Sequence, residues 1–186
     1  MSFVNELEDE VLEDEEVGMG SLYHGTTQAN LACLLNNDER FMVVTELSLD
    51  ATSIDLKRFN IKAKDELVPD LCVYTSPLPA PDEEVDDDLI RVSQMPDLAI
   101  EVLSPMQSVG FLVRKIKAYF ALGIKSCWLV IPVTKTVNVY SQANQSDIFD
   151  LKDPEVIDEV MEIRLPIQKV FQNVLRKPSE NVLKVR

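Results

Sequence analysis

Apolar residues along this chain recur with two different periods, and the change from one to the other divides it into elements. In HGTTQANLACLLNN (24–37), Leu31, Leu34 and Leu35 fall at helical spacing behind a threonine-rich start that can cap a helix, and Asn36-Asn37 supplies its end. FMVVTELSL (41–49) is β-branched and apolar, SIDLKRFNI (53–61) alternates in part, and LCVYT (71–75) follows Val68-Pro69-Asp70. Three strands in succession are predicted there. DLAIEVL (97–103) is a nearly continuous apolar run stopped by Ser-Pro, the pattern of a strand covered on both faces.

QSVGFLVRKIKAYFALG (107–123) returns to helical spacing through Leu112, Ile116, Tyr119 and Phe120, with Gly123 as a stop. SCWLVIP (126–132) and TVNVYS (136–141) read as strands joined by a short turn, MEIRLP (161–166) as a further strand, and 167–175 as a short closing helix. The order is α, several β, α, β, β. A strand, a helix of about four turns and a second apolar strand form a crossover unit, so 97–132 is expected to place parallel neighbours at the sheet centre. The predicted fold class is α/β, a mixed central sheet flanked by helices.

Composition sets limits on what such a fold can be. The 186 residues are 46% hydrophobic and 27% charged, enough for one domain with a substantial core. No stretch approaches the roughly 18 uncharged apolar residues of a membrane span, and the amino terminus has neither the basic start nor the apolar segment of a signal peptide. A cytoplasmic protein without membrane partners is expected. Cys33, Cys72 and Cys127 are odd in number, lack CxxC spacing and sit among apolar neighbours, the pattern of buried reduced thiols.

The net charge of −14 is unevenly placed. Residues 1–16 carry eight acids and no base, and residues 81–90 carry six and none, so the rest of the chain holds as many bases as acids. Like charges in runs favour solvated segments. The expected organisation is an acidic tail over 1–18, a domain over 19–175 with an acidic loop at 76–90, and a carboxy-terminal tail over 176–186. The loop has a second reading, as a screen over a positive groove or a recruiter of a basic partner.

Glu101 lies in the middle of the apolar run 97–103. An ionised carboxylate removed from water without compensation costs several kcal/mol, so it is neutralised, paired with a cation or bound to a metal. Asp70 stands where a loop enters the 71–75 strand, and adjacent strands can bring the two carboxylates together on one divalent cation. Hard oxygen donors of this kind suit Mg²⁺ or Mn²⁺, with water and substrate phosphate filling the other positions. Lys115 emerges beside the apolar stripe of its helix, four residues from both Phe111 and Tyr119, where it can orient or deprotonate water and offset charge on the phosphate.

Each residue also has a plainer reading: Asp70 as a turn residue after proline, Glu101 as an outward-facing edge residue, Lys115 as a snorkelling stem. His24 reads as a capping or surface residue rather than a catalytic one.

Met19-Gly20-Ser21 with His24, ELSLD (46–50), VPDLCVY (68–74), PDLAIEVLSP (96–105) and KAYFALGIKSCWLVIPVT (117–134) resemble the Uma-type restriction-endonuclease-like proteins of the PD-(D/E)XK superfamily, over about residues 19–170. The resemblance implies a restriction-endonuclease-like core with Asp70 as the motif aspartate, Glu101 as the motif glutamate and Lys115 as a lysine displaced onto the following helix. Leu103 occupies the place of the lysine in an E-x-K motif. A Mg²⁺-dependent DNA endonuclease is implied, with Arg114, Lys117 or Lys125 touching phosphate and a homodimer cutting both strands. The alternative is a catalytically silent member that binds a protein or nucleic acid through the same scaffold.

Overall fold

In the computed structural model, which describes residues 13–14, 20–82 and 88–174, the elements run β1 (Glu13–Asp14), α1 (Leu22–Asn36), β2 (Met42–Thr45) and β3 (Ser48–Asp50). A 3-10 turn (Leu56–Phe59) leads to β4 (Ile61–Lys62), β5 (Glu66–Leu67), β6 (Leu71–Tyr74), β7 (Arg91–Val92) and β8 (Leu98–Val102). Then come α2 (Val109–Ala121), β9 (Ser126–Ile131), β10 (Thr136–Gln142), β11 (Gln145–Phe149), β12 (Glu155–Asp158), β13 (Ile163–Pro166) and α3 (Ile167–Val170).

The main sheet has six strands in the order β11-β10-β9-β8-β6-β2. Only β8 and β9 pair in parallel, Leu98 opposite Ser126 through Val102 opposite Val130, and α2 joins them as the spacing predicts. Alternation along these buried strands sorts the core into two layers. Leu71, Val73, Leu98, Ile100, Val102, Trp128 and Val130 face α1, α3 and β12–β13. Cys72, Tyr74, Ala99, Cys127 and Leu129 face α2. Every residue of β8 is buried, so Glu101 has no route to bulk water along its strand.

Local chemistry explains the helix ends. Ser21 caps α1, its Oγ accepting the His24 N–H at 3.3 Å, which starts the helix earlier than the threonines suggested. Ser108 caps α2 in the same way through the Phe111 N–H at 3.0 Å. Past the end of α2, Gly123 adopts φ 91° with open space around its missing Cβ. Strain alone opposes a side chain there, so Gly123→Ala should lower stability by about 1–2 kcal/mol in urea melts; an unchanged midpoint would contradict this.

Several predicted elements are corrected. The strand predicted over 41–49 is two strands in different sheets, because Glu46 turns to φ 54° and its N–H donates to the Asp70 carbonyl. Of the strand predicted over 53–61 only Ile61 is in one, at the start of β4; a turn takes its place, in which Asp55 accepts the Lys57 N–H at 3.1 Å and Asn60 at φ 56° closes the turn. The closing helix spans four residues and ends in a turn at 171–174. Cys33 is exposed on α1, whereas Cys72 and Cys127 are buried. Of the tail, acidic loop and carboxy-terminal tail, residues 1–12, 15–19, 83–87 and 175–186 lie outside the described residues. No helix among the described residues is long and apolar enough to cross a membrane.

Candidate active site

Antiparallel pairing of β6 with β8 sets Leu71 opposite Ile100 and Cys72 opposite Ala99. Continuing that register by one step places Asp70 across from Glu101, and directly opposed residues share a face of the sheet with Cβ atoms roughly 4.5–5.5 Å apart. Glu101 reaches Lys115 and Tyr119 of α2, whereas Asp70 reaches His24 of α1 and the Val102 amide. Two residues 31 positions apart in sequence thus hold opposed positions at one end of β8.

Asp70 is fixed by both oxygens. Oδ1 accepts from His24 Nε2 at 3.0 Å, and Oδ2 accepts the Val102 N–H at 2.6 Å. Pro69 lies two residues ahead of β6, and the Asp70 side chain serves the neighbouring strand's amide beyond the ladder. Its backbone carbonyl is held too, by Gln28 Nε2 at 3.0 Å, and the same amide nitrogen reaches Glu46 Oε1 at 3.4 Å. The side chain of Asp70 stays 17% exposed, so the site opens to solvent on this side.

Glu101 has the opposite setting, with 2% of its side chain exposed. The Lys115 ammonium sits 2.9 Å from Oε1, and the Tyr119 hydroxyl donates to the same oxygen. Lys115 and Tyr119 are one turn apart on α2, so a single helical face delivers both donors. Lys115 Nζ also donates to the Val68 carbonyl at 3.1 Å, two residues ahead of Asp70. One buried cation thereby ties the strand carrying Glu101 to the loop carrying Asp70. The Cys72 thiol beside this cluster is pushed up to about 12, first by burial and then by the Glu101 charge.

Of the three fates open to a buried carboxylate, pairing with a cation is the one seen at Glu101. Lys115 does not snorkel; it is as buried as its partner. His24 also departs from its predicted surface role. It lies inside the first turn of α1, 8% exposed. The bond to Asp70 holds its imidazole pKa above the usual value despite burial, with the charges of Asp70, Glu101 and Glu46 adding to the effect. Serine three residues before His24 was the available signal, since a cap at Ser21 forces His24 onto the helix. Tyr119 was read only as an apolar helix position, and nothing in its spacing marks the hydroxyl's partner.

The predicted phosphate contacts separate. Arg114 and Lys117 flank Lys115 on α2, Lys117 exposed and Arg114 half-buried. Lys125 is not brought to the carboxylates: it pairs with Asp97 at 2.7 Å, at the other end of β8 from Glu101. It lines a cleft of about 570 Å³ with Asp97 and Arg40. A second cleft, of about 640 Å³, lies between the end of α1 and β13. Neither is lined by Asp70 or Glu101, and a smaller groove of about 250 Å³ runs beside Gln28 and Glu46.

Carboxylate oxygens are the hard donors a divalent cation takes, and of the two here Asp70 is the one open to solvent. Among the described residues no group of three or more His, Cys, Asp and Glu side chains has the arrangement of a metal site.

Residues 6–168 match the Uma2 family, described as "Putative restriction endonuclease". A solved structure described as a "putative nuclease belonging to DUF820" from Anabaena variabilis is similar over 83% of each chain, with a TM-score of 0.64 and 24% identity. At that identity the likeness speaks for the fold. No curated protein matches.

Proposed function

We propose, from the premise that this chain belongs to the Uma2 family, "Putative restriction endonuclease", that it is a Mg²⁺- or Mn²⁺-dependent DNA endonuclease. The single observation behind this reading is the register that opposes Asp70 and Glu101 with the Lys115 ammonium 2.9 Å from the second carboxylate. Asp70 and Glu101 would hold the metal. When bound, the ion supplies Lewis-acid polarisation of the phosphate and a more acidic coordinated water.

The remaining work falls to the chain's own groups. His24 and the Val102 amide hold both Asp70 oxygens in place, as hydrogen-bonded partners do for carboxylates that ligate metals. Lys115 keeps a fixed positive charge beside the carboxylates, able to offset negative charge growing on a phosphate. Lys117 and Arg114 lie on the same helix for contact with neighbouring phosphates. Two copies acting as a dimer, in the cytoplasm, would cut both strands.

A second reading is favoured by the seal around Glu101. Its charge is already balanced by Lys115 and Tyr119 at 1% exposure, which suits a silent member that binds nucleic acid or protein without metal. Because that balance needs no added ion, EDTA should leave the thermal midpoint of a silent member unchanged, whereas a chain loaded with Mg²⁺ should melt lower once the ion is removed. Calorimetric titration decides between them. Mg²⁺ or Mn²⁺ should give saturable heat with the parent chain and none with Asp70→Ala or Glu101→Gln; equal heats from all three would overturn the nuclease reading.

A further inference from the structure

Basic residues in this acidic chain collect where the amino-terminal strand lands. Residues 56–64 (LKRFNIKAK) hold four bases and no acid, and α2 holds three and no acid, together seven of the chain's 18. The two segments touch, since α2 packs on both the Leu56–Phe59 turn and β4. Lys115 turns inward to Glu101, while Lys57, Arg58, Lys62, Lys64 and Lys117 are exposed. The result is a ridge of exposed bases, bounded along the chain by the exposed Asp55 and Asp65, on a molecule of net charge −14.

That ridge is where β1 pairs. Glu13 lies opposite Ile61 and Asp14 opposite Lys62 in a parallel ladder with β4. The eight acids of residues 1–16 include no base among them and span Glu6 to Glu16. All lie within seven residues of Glu13, at most about 25 Å of extended chain. A segment tethered so closely acts at an effective concentration in the millimolar range, against which a free ligand must compete. Its carboxylates offer the ridge the same charge that a phosphate backbone does.

We propose that the acidic amino-terminal segment is a built-in occupant of a polyanion-binding surface formed by the Leu56–Phe59 turn, β4 and α2, and that it competes there with duplex DNA. The choice of DNA as the outside competitor rests on the nuclease reading; the surface and its internal occupant do not. Displacement of the segment would be a step in substrate binding, and it would hold affinity low for DNA that makes few phosphate contacts.

Anisotropy of a fluorescent duplex, titrated in EDTA with the full chain, tests this. With all eight acids of residues 6–16 converted to their amides, binding at 50 mM salt should tighten by about tenfold or more, and the affinity should fall more steeply with salt as more phosphates are neutralised. Adding Lys57→Gln, Arg58→Gln and Lys64→Gln should erase that gain. Converting the six acids of residues 82–88 to amides is the control for net charge, and it should yield under a third of the gain. The proposal is overturned by an unchanged affinity, by an equal gain from the loop control, by a gain that survives loss of the three bases, or by no binding from any variant. Since the assay contains no metal, failure of metal binding or cleavage would count against the nuclease reading alone.

Discussion

Asp70→Asn is expected to fold as the parent does and to lose DNA cleavage by about three orders of magnitude or more, equivalent to about 4 kcal/mol of transition-state stabilisation. Asparagine keeps an oxygen for the Val102 N–H, and its amide can donate to His24 once the imidazole changes tautomer, so both bonds at this position survive in altered form. What disappears is one negative charge and one hard oxygen ligand. Nicking of supercoiled plasmid in Mg²⁺, followed beside thermal melts, separates the two effects. Parent-like nicking by the variant would remove Asp70 from the site, and a parent that never nicks would favour the silent reading.

Lys115→Met should be the most destabilising single change at the site, at about 3–5 kcal/mol, because it leaves the Glu101 charge buried without its counter-ion. For a chain of this size that is a fall in Tm on the order of 10 °C. The Val68 carbonyl loses its donor as well. Removing both charges, as in Lys115→Met with Glu101→Gln, should recover much of the loss, since a neutral pair carries no buried charge. Urea denaturation of the two single variants and the double variant gives the coupling energy directly. Additive losses would mean that the ammonium and the carboxylate do not interact in solution.

Asp70, Glu101 and Lys115 were visible in the sequence because each places a charge in or beside an apolar run, where its solvation cost demands a partner. The Glu101–Lys115 contact was not written locally; it comes from the phase of α2, as the opposed positions of Asp70 and Glu101 come from the register of β6 on β8. His24, Gln28 and Tyr119 join the same site through contacts 18 to 46 positions apart, and single-residue spacing carries no mark of those. The strands buried on both faces, β6, β8 and β9, announce themselves as apolar runs. β11 does not, because Gln145, Ser146 and Asp147 gain nothing from burial on an outer strand. The break at Glu46 was equally hidden: a glutamate with positive φ follows from its bond to the Asp70 carbonyl and not from its own preference.

Position β11 at the rim of the sheet also bears on how the protein keeps to itself at high concentration. An outermost strand offers a row of unsatisfied backbone groups to any other extended chain, and long apolar rims of this kind seed edge-to-edge stacking. Here the rim strand is five residues long, polar over its first half, with Asp147 at its centre. A second copy of this rim laid alongside would bring like charges together, so strand addition at this edge is disfavoured from the start.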